Sequence, residues 1–408
     1  PQWLGEPGVE AVVVLAIDDM RDPQPWEAYL RPILTRLQQI DGRAPTSIMT
    51  CPVDPLDPHL QRWLQEGLSI ETHTADHPCP LLANGDFAAA KSTYDRCVDQ
   101  MCAIPGSRPV AFRTPCCDSL NTPSPRFFSE IFNRTTPAGN FLFIDSSVFV
   151  LFTSNDPQLP RALVQDADGT ERLGKYVPEE RRFVNFVEDY PYPYVVGRLC
   201  WEFPCMVPSD WEAQHLHQPA NPRTVADMQA ALDLTVIKQG VFNLVFHPYG
   251  WIRAEQVVEL VDHAVSRHGG RVKFLTFREA HDRLVKHLLA GQALRDAQGG
   301  DNGVRLLDLN GDGFQDVVIG NEALRLMRIW QPQEGAWAER SFPARLVRRG
   351  PGGESLSTSA VWGIVGPEQR VTLLVRDEVE QGAWQLIEGE WVEQPALWRG
   401  LEWEGQPL

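Results

Sequence analysis

The sequence has no run approaching 18 uncharged apolar residues, so no segment reads as a bilayer-spanning helix. Basic residues are in deficit: 37 Lys and Arg against 54 Asp and Glu give a formal net charge of −17. A surface of that sign repels phosphate backbones and anionic lipid, which removes nucleic acid from the candidate partners and favours neutral or cationic ones. Compositional bias is missing too. With 43% hydrophobic and 22% charged residues, and 31 Gly and 33 Pro spread along the chain, disordered and collagen-like classes are excluded. No paired Cys-x-x-Cys motifs occur, which argues against a four-thiolate zinc site. What cysteine there is comes as eight residues, several of them close pairs open to short bridges: Cys97/Cys102, Cys116/Cys117 and Cys200/Cys205. Sequence cannot choose among the pairings, but this usage points to an oxidising compartment, hence a secreted, periplasmic or cell-surface protein. The opening Pro1 reads as that of a processed or truncated chain, so localisation is inferred from the thiols alone.

The first long segment alternates short apolar runs with helical patterns. Ala11 to Ile17 is a β-branched run ending in two acids, as a buried parallel strand reads. Trp26, Tyr29, Leu30, Ile33 and Leu37 then recur at helical spacing. Further strands are expected at 45–50, 68–72, 109–112, 141–144, 241–246 and 272–275, with a helix through Leu60, Trp63 and Leu64 ending at Gly67. Such alternation over about 280 residues means parallel βα units, and a barrel is their natural closure. A stretch at about 150–235, rich in Pro, Tyr and Trp, breaks the pattern and reads as an insertion on one rim. A helix at 278–294 and a polar, glycine-rich connection place a domain boundary near residue 295, giving domains at 1–295 and 296–408.

Polar residues stand at the C-terminal end of strand after strand, the rim on which barrel enzymes build active sites. Asp18 and Asp19 close the first strand, and His73 and His77 follow the third in ETHTADH. Arg113 closes AFR before Thr114 and Pro115, Asp145 closes FLFID, and His247 closes NLVFH. Two histidines four apart on a helical turn point the same way, so both imidazoles can reach one metal ion. A carboxylate completes a His2Asp set with a position left for water and substrate. If Asp19 binds the metal, Asp18 is left beside it as a base. Each feature alone has a bland reading: surface histidines, an Asp-Asp turn, a salt-bridge arginine, a core histidine. Their shared placement singles them out.

In order and context these motifs resemble those of the polysaccharide deacetylase family (carbohydrate esterase family 4), over roughly residues 10–290. Ala16-Ile17-Asp18-Asp19 is similar to that family's opening Thr-Phe-Asp-Asp, and His73-Thr74-Ala75-Asp76-His77 to its His-(Ser/Thr)-x-x-His. Arg113-Thr114-Pro115 is similar to Arg-x-Pro, and Val245-Phe246-His247 to Leu-x-His. Ile144-Asp145-Ser146-Ser147 is the candidate fourth motif. The resemblance implies a distorted (β/α) barrel and a divalent metal, commonly Zn2+, on Asp19, His73 and His77. It also implies attack by metal-bound water on an acetyl group, with Asp18 as base held by Arg113, and His247 as acid oriented by Asp145. The oxyanion is expected at the backbone N–H of Cys116, beside Pro115. The chain departs from the pattern at Ile17 and Met20, at Cys116 where an aromatic residue normally walls the cleft, and at Pro248-Tyr249-Gly250-Trp251. The Trp of the fourth motif is missing beside Asp145.

Beyond residue 295 the texture changes to short strands, turns and tryptophans: seven of the 13 Trp lie in the last 79 residues. An all-β fold is expected. Asp308, Asn310, Asp312 and Asp316, with the Phe314 carbonyl, have the alternate spacing of a calcium loop and resemble those of FG-GAP and VCBS propeller repeats. The implied Ca2+ is structural, and two blade-like units are too few to close a propeller. The tryptophans read as packing residues before sugar-stacking ones. Together these features imply a metal-dependent hydrolase that deacetylates an N- or O-acetylated polysaccharide. Two other classes are open: a non-catalytic glycan-binding scaffold, and an amidase of this fold acting on a small molecule.

Overall fold

A computed structural model of the 408-residue chain describes residues 2–117, 124–177, 185–377, 379–398, 402–403 and 406–407. The chain divides into two compact units, Trp3–Arg283 and Leu284–Leu408.

The first unit is α/β. Its strands are β1 (Ala11–Met20), β2 (Ser47–Thr50), β3 (Ser69–Thr72), β4 (Ala111–Phe112), β5 (Ile144–Asp145), β6 (Phe149–Leu151), β7 (Phe186–Glu188), β8 (Tyr194–Val196), β9 (Cys200–Glu202), β10 (Cys205–Met206), β11 (Val241–Phe246) and β12 (Val272–Phe274). The main sheet runs β11-β1-β2-β3-β4-β5-β9-β8, with β12 also on β1. Its pairings are parallel except β8 on β9. Among the described residues the two end strands do not pair, so this is an open, distorted barrel. β1 is the axis: it pairs β11 along one side, β12 and β2 along the other, and its burial on both faces explains the unbroken apolar run.

Outer helices carry the expected signals. In α1 (Pro23–Asp41) the Asp22 side chain accepts from Gln24 N at the start, and Trp26, Leu30, Ile33, Leu34 and Leu37 bury one face. The next are α2 (Pro58–Glu66) and α3 (Phe87–Ala103). α2 stops at Gly67, whose φ of 98° lies in the left-handed region that favours glycine. Then come α4 (Asp210–His217), α5 (Pro222–Lys238) and α6 (Ala254–His268).

The stretch read as a rim insertion does more than decorate. It adds β8 and β9 to the main sheet beside β5, and builds a second, parallel sheet in the order β10-β6-β7. These strands are two or three residues long, too short to show a period. The helix expected over 278–294 is shorter: Phe277–Arg283, then a π-turn at Leu284–Leu288.

The second unit is largely β. Val304–Leu307, Asp316–Gly320, Arg325–Gln331 and Ala336–Ser341 form one four-stranded antiparallel sheet. Val361–Val365, Arg370–Arg376, Gln381–Ile387 and Glu390–Glu393 form another. Val318, Met327, Phe342, Leu346, Leu373 and Val375 make its core. Trp362 stacks on Phe342 with ring centroids 5.9 Å apart, and Trp391 meets both rings edge-on.

No described helix is long and apolar enough to cross a membrane. Among the described residues one disulfide is present, Cys79–Cys116, while Cys51, Cys97, Cys102, Cys117, Cys200 and Cys205 form none. The three near-sequence pairs are therefore unbridged. Cys97 lies on a helix and Cys200 on a strand, whereas the two loops that follow β3 and β4 bring Cys79 and Cys116 to a Cα separation of 6.2 Å.

Candidate active site

β1 delivers its two acids through an irregularity. Its register with β2 shifts between Ile17 and Met20, and Asp19 has φ 72°, an uncommon left-handed conformation for a non-glycine residue. The two carboxylates consequently have separate partners. Asp18 Oδ1 accepts from Arg113 Nη1 at 2.5 Å. Asp19 Oδ1 lies 2.7 Å from His77 Nε2 and 3.3 Å from His73 Nε2.

The two histidines do not sit on a helical turn. His73 follows β3 directly, and the chain then folds through a loop with φ 68° at Thr74 and 54° at His77, held by the His77 N–H on Thr74 Oγ1. A spacing of four suits a helix face, yet the loop achieves the same convergence, with ring centroids 5.1 Å apart. His73 Nδ1 is 2.8 Å from the Arg113 carbonyl, which only accepts, so Nδ1 carries the hydrogen and Nε2 a lone pair. His73 Nε2 and Asp19 Oδ1 are buried and neither completes a hydrogen bond, despite the short distances. Two unpaired donor atoms and a third within reach are what a His2Asp cation site requires. Among the described residues, one of two groups whose ligand atoms all lie within 4.8 Å of one another is Asp19, His73 and His77.

Arg113 is fully buried beneath Asp18. Its Nε donates to the Ser146 carbonyl at 2.8 Å and its Nη2 to Ser146 Oγ at 2.9 Å. Burial opposes the guanidinium charge and Asp18 more than restores it.

Asp145 does not orient His247. Ser147 Oγ and the Ser146 N–H donate to Asp145 Oδ1, and its register partner across β5 and β9 is Glu202. The two buried carboxyls interact. Burial foremost pushes Asp145 up to about 6, and burial with the Asp145 charge lifts Glu202. The partner of His247 is Asp210, at the start of α4: its Oδ1 is 2.8 Å from His247 Nδ1, and its Oδ2 accepts from the His247 N–H at 2.7 Å. Burial works against the imidazolium, but Asp210 first, then Asp18 and Asp19, hold His247 up at about 9. The Trp missed beside Asp145 stands next to Asp210, as Trp211. The signal was Ser209-Asp210-Trp211-Glu212, a capping box in which Ser209 and Glu212 fix the helix start.

His247 Nε2 lies 3.9 Å from Asp19 Oδ2, so the imidazole borders the Asp19 group. Tyr249 and Trp251, from the unusual segment after His247, flank its ring at 5.8 and 4.9 Å between centroids. Pro115 is buried. Cys116 is exposed, with φ 60° in the turn Pro115–Cys117, and its sulfur is committed to Cys79.

In the second unit, Asp308, Asn310, Asp312 and Asp316 turn oxygens onto backbone N–H groups. Asp308 takes those of Gly311, Asp312 and Gly313; Asn310 takes that of Asp312 and Asp312 that of Phe314; Asp316 takes those of Leu309 and Trp330. The loop is not among the groups that converge within 4.8 Å.

No protein-family model matches the chain, and no curated protein does. Among solved structures, a provisionally named polysaccharide deacetylase from Mycobacterium smegmatis aligns with a TM-score of 0.43 and 16% identity, over 72% of this chain and 95% of its own. PuuE allantoinase aligns at 0.41 and 11%, over 70% and 94%. The peptidoglycan deacetylase PdaC from Bacillus subtilis aligns at 0.33 and 15%, over 69% and 97%.

Proposed function

We propose that the Trp3–Arg283 unit is a metal-dependent hydrolase that removes acetyl groups from an N- or O-acetylated polysaccharide outside the cytoplasm. The observation that carries this reading is the juxtaposition at one rim of three parts. They are a His2Asp donor set, a second aspartate clamped by a buried arginine, and an imidazole clamped by its own aspartate. Asp19, His73 and His77 hold the cation, Zn2+ by the donor set. Bound there, such an ion supplies Lewis acidity toward an acyl oxygen and makes water more acidic.

The chain's own residues do the rest. Asp18, fixed by Arg113, takes the proton from the attacking water. Arg113, fixed in turn by Ser146, cannot follow Asp18 out of position. His247 hands a proton from Nε2 to the departing amine or alkoxide while Asp210 keeps hold of Nδ1. Cys116 contributes its backbone N–H to the oxyanion. An arrangement with base, acid and metal ligands all present favours turnover over a glycan-binding role. We extend the proposal to Ca2+ in the Asp308–Asp316 loop: burial, with the Asp312 and Asp308 charges, holds Asp316 up at about 6, a repulsion that a cation relieves.

The test is acetate release by the zinc-loaded protein from chito-oligomers, acetylxylan, peptidoglycan fragments and small amides. Asp18→Asn is expected to lower kcat by roughly 10²–10⁴-fold with metal content unchanged. His73→Ala is expected to lose the metal first. A fully loaded wild-type protein that releases no acetate from any of these sinks the proposal.

A further inference from the structure

The second convergent group lies between two helices. Asp233 is on α5, and His263 and His268 are on α6. Asp233 Oδ1 lies 2.9 Å from His263 Nε2 and 2.7 Å from His268 Nε2, while Oδ2 lies 2.9 Å from Arg267 Nε. The carboxylate thus turns one oxygen to the two imidazoles, and the three ligand atoms all lie within 4.8 Å of one another. This is the donor set of Asp19, His73 and His77, met a second time and with similar spacing.

The surroundings suit a cation. Side-chain exposures of 9% for Asp233 and 8% for His268 shield the group, and 21% at His263 leaves an entry. His268 is the last residue of α6, where unpaired carbonyls carry partial negative charge. Arg267 neutralises only the far oxygen, and its side chain is 57% exposed, so solvent screens it. Hydrogen bonding alone places two Nε2 protons on one oxygen. His268 Nδ1 is buried without a partner whichever nitrogen carries the hydrogen, so it does not separate the two states.

We propose that Asp233, His263 and His268 form a second divalent-metal site, of the imidazole-preferring class to which zinc belongs, tying α5 to α6. With three protein ligands, a fourth position is left to water. The proposal does not rest on the deacetylase reading.

The experiment is zinc uptake by the chelator-stripped full chain. The wild type is expected to bind two equivalents, His73→Ala/His77→Ala to keep one, and His263→Ala/His268→Ala to keep the other with acetate release unchanged. A single wild-type equivalent that is lost in His73→Ala/His77→Ala overturns the proposal and spares the deacetylase reading. A single equivalent lost only in His263→Ala/His268→Ala supports it and sinks that reading. Two equivalents retained in His263→Ala/His268→Ala, or none in the wild type, also overturn it. Where His263→Ala/His268→Ala fails to fold, Asp233→Asn, which keeps the side chain's size and removes the anionic ligand, repeats the count: an equivalent weakened or lost supports the proposal, and two retained unchanged overturn it.

Discussion

Two buried aspartates competed for one role, and their partners separate them. Asp210 holds both the N–H and Nδ1 of His247, whereas Asp145 is engaged with Ser146, Ser147 and Glu202. Asp210→Asn keeps the shape and removes the charge. It is expected to lower kcat by roughly 10²-fold at full metal occupancy. The sign of the accompanying pH effect is fixed. Asp210 is the largest influence raising His247, so its loss lowers that pKa from about 9, and the alkaline limb of activity moves to lower pH. Asp145→Asn should leave that limb in place. A limb that moves in Asp145→Asn and not in Asp210→Asn reverses the assignment. Asp18, Asp19, Arg113 and His247 were legible because each ends a hydrophobic run. Asp210 was not, because it opens a helix, and only the fold brings it to a histidine 37 positions later. The disulfide was hidden for the same reason, since its cysteines are 37 residues apart and meet only through loops set by β3 and β4.

At the scale of elements, the long strands were readable and the short ones were not. β11 was expected and found at 241–246, and β1 runs three residues past its apolar part to include both acids. β4 and β5 are two residues each, and something besides their ladders holds that side of the sheet. Part of the answer is Glu71 on β3. Its Oε2 accepts from the Val110 and Ala111 N–H groups at 2.7 Å, bridging to the start of β4. Burial pushes Glu71 up to about 7, with those two N–H groups pulling the other way. Its folded value lies above the ordinary 4.5, so the native state holds the proton more tightly. Stability from this residue is therefore greatest below about 4.5 and declines as pH rises toward 7. Glu71→Gln keeps the acceptor and removes the charge. Urea unfolding is expected to show it more stable than wild type by about 1–3 kcal/mol at pH 8, and nearly equal at pH 4.5. Equal pH slopes for the two proteins would show that Glu71 ionises at no cost.

At the scale of the whole molecule, the net charge of −17 acts on whatever approaches. Carboxylates also crowd the proposed site, where Asp18 faces the buried Arg113, Asp19 faces His73 and His77, and Asp210 faces His247. A cation on Asp19 removes part of that local charge and is small against the net charge of −17. The field reaches about 10 Å into 0.1 M salt and about 3 Å into 1 M, so added salt shortens it. For a neutral acetylated oligosaccharide, kcat/KM is expected to stay within about twofold between 0.05 and 0.5 M NaCl. For a uronate-bearing or phosphorylated glycan it is expected to rise several-fold over that range, because repulsion slows encounter. Steady-state kinetics on a matched pair of substrates measures both. A value for the anionic substrate that falls with salt points to a local basic surface guiding it in, and the overall charge then has no hold on substrate choice.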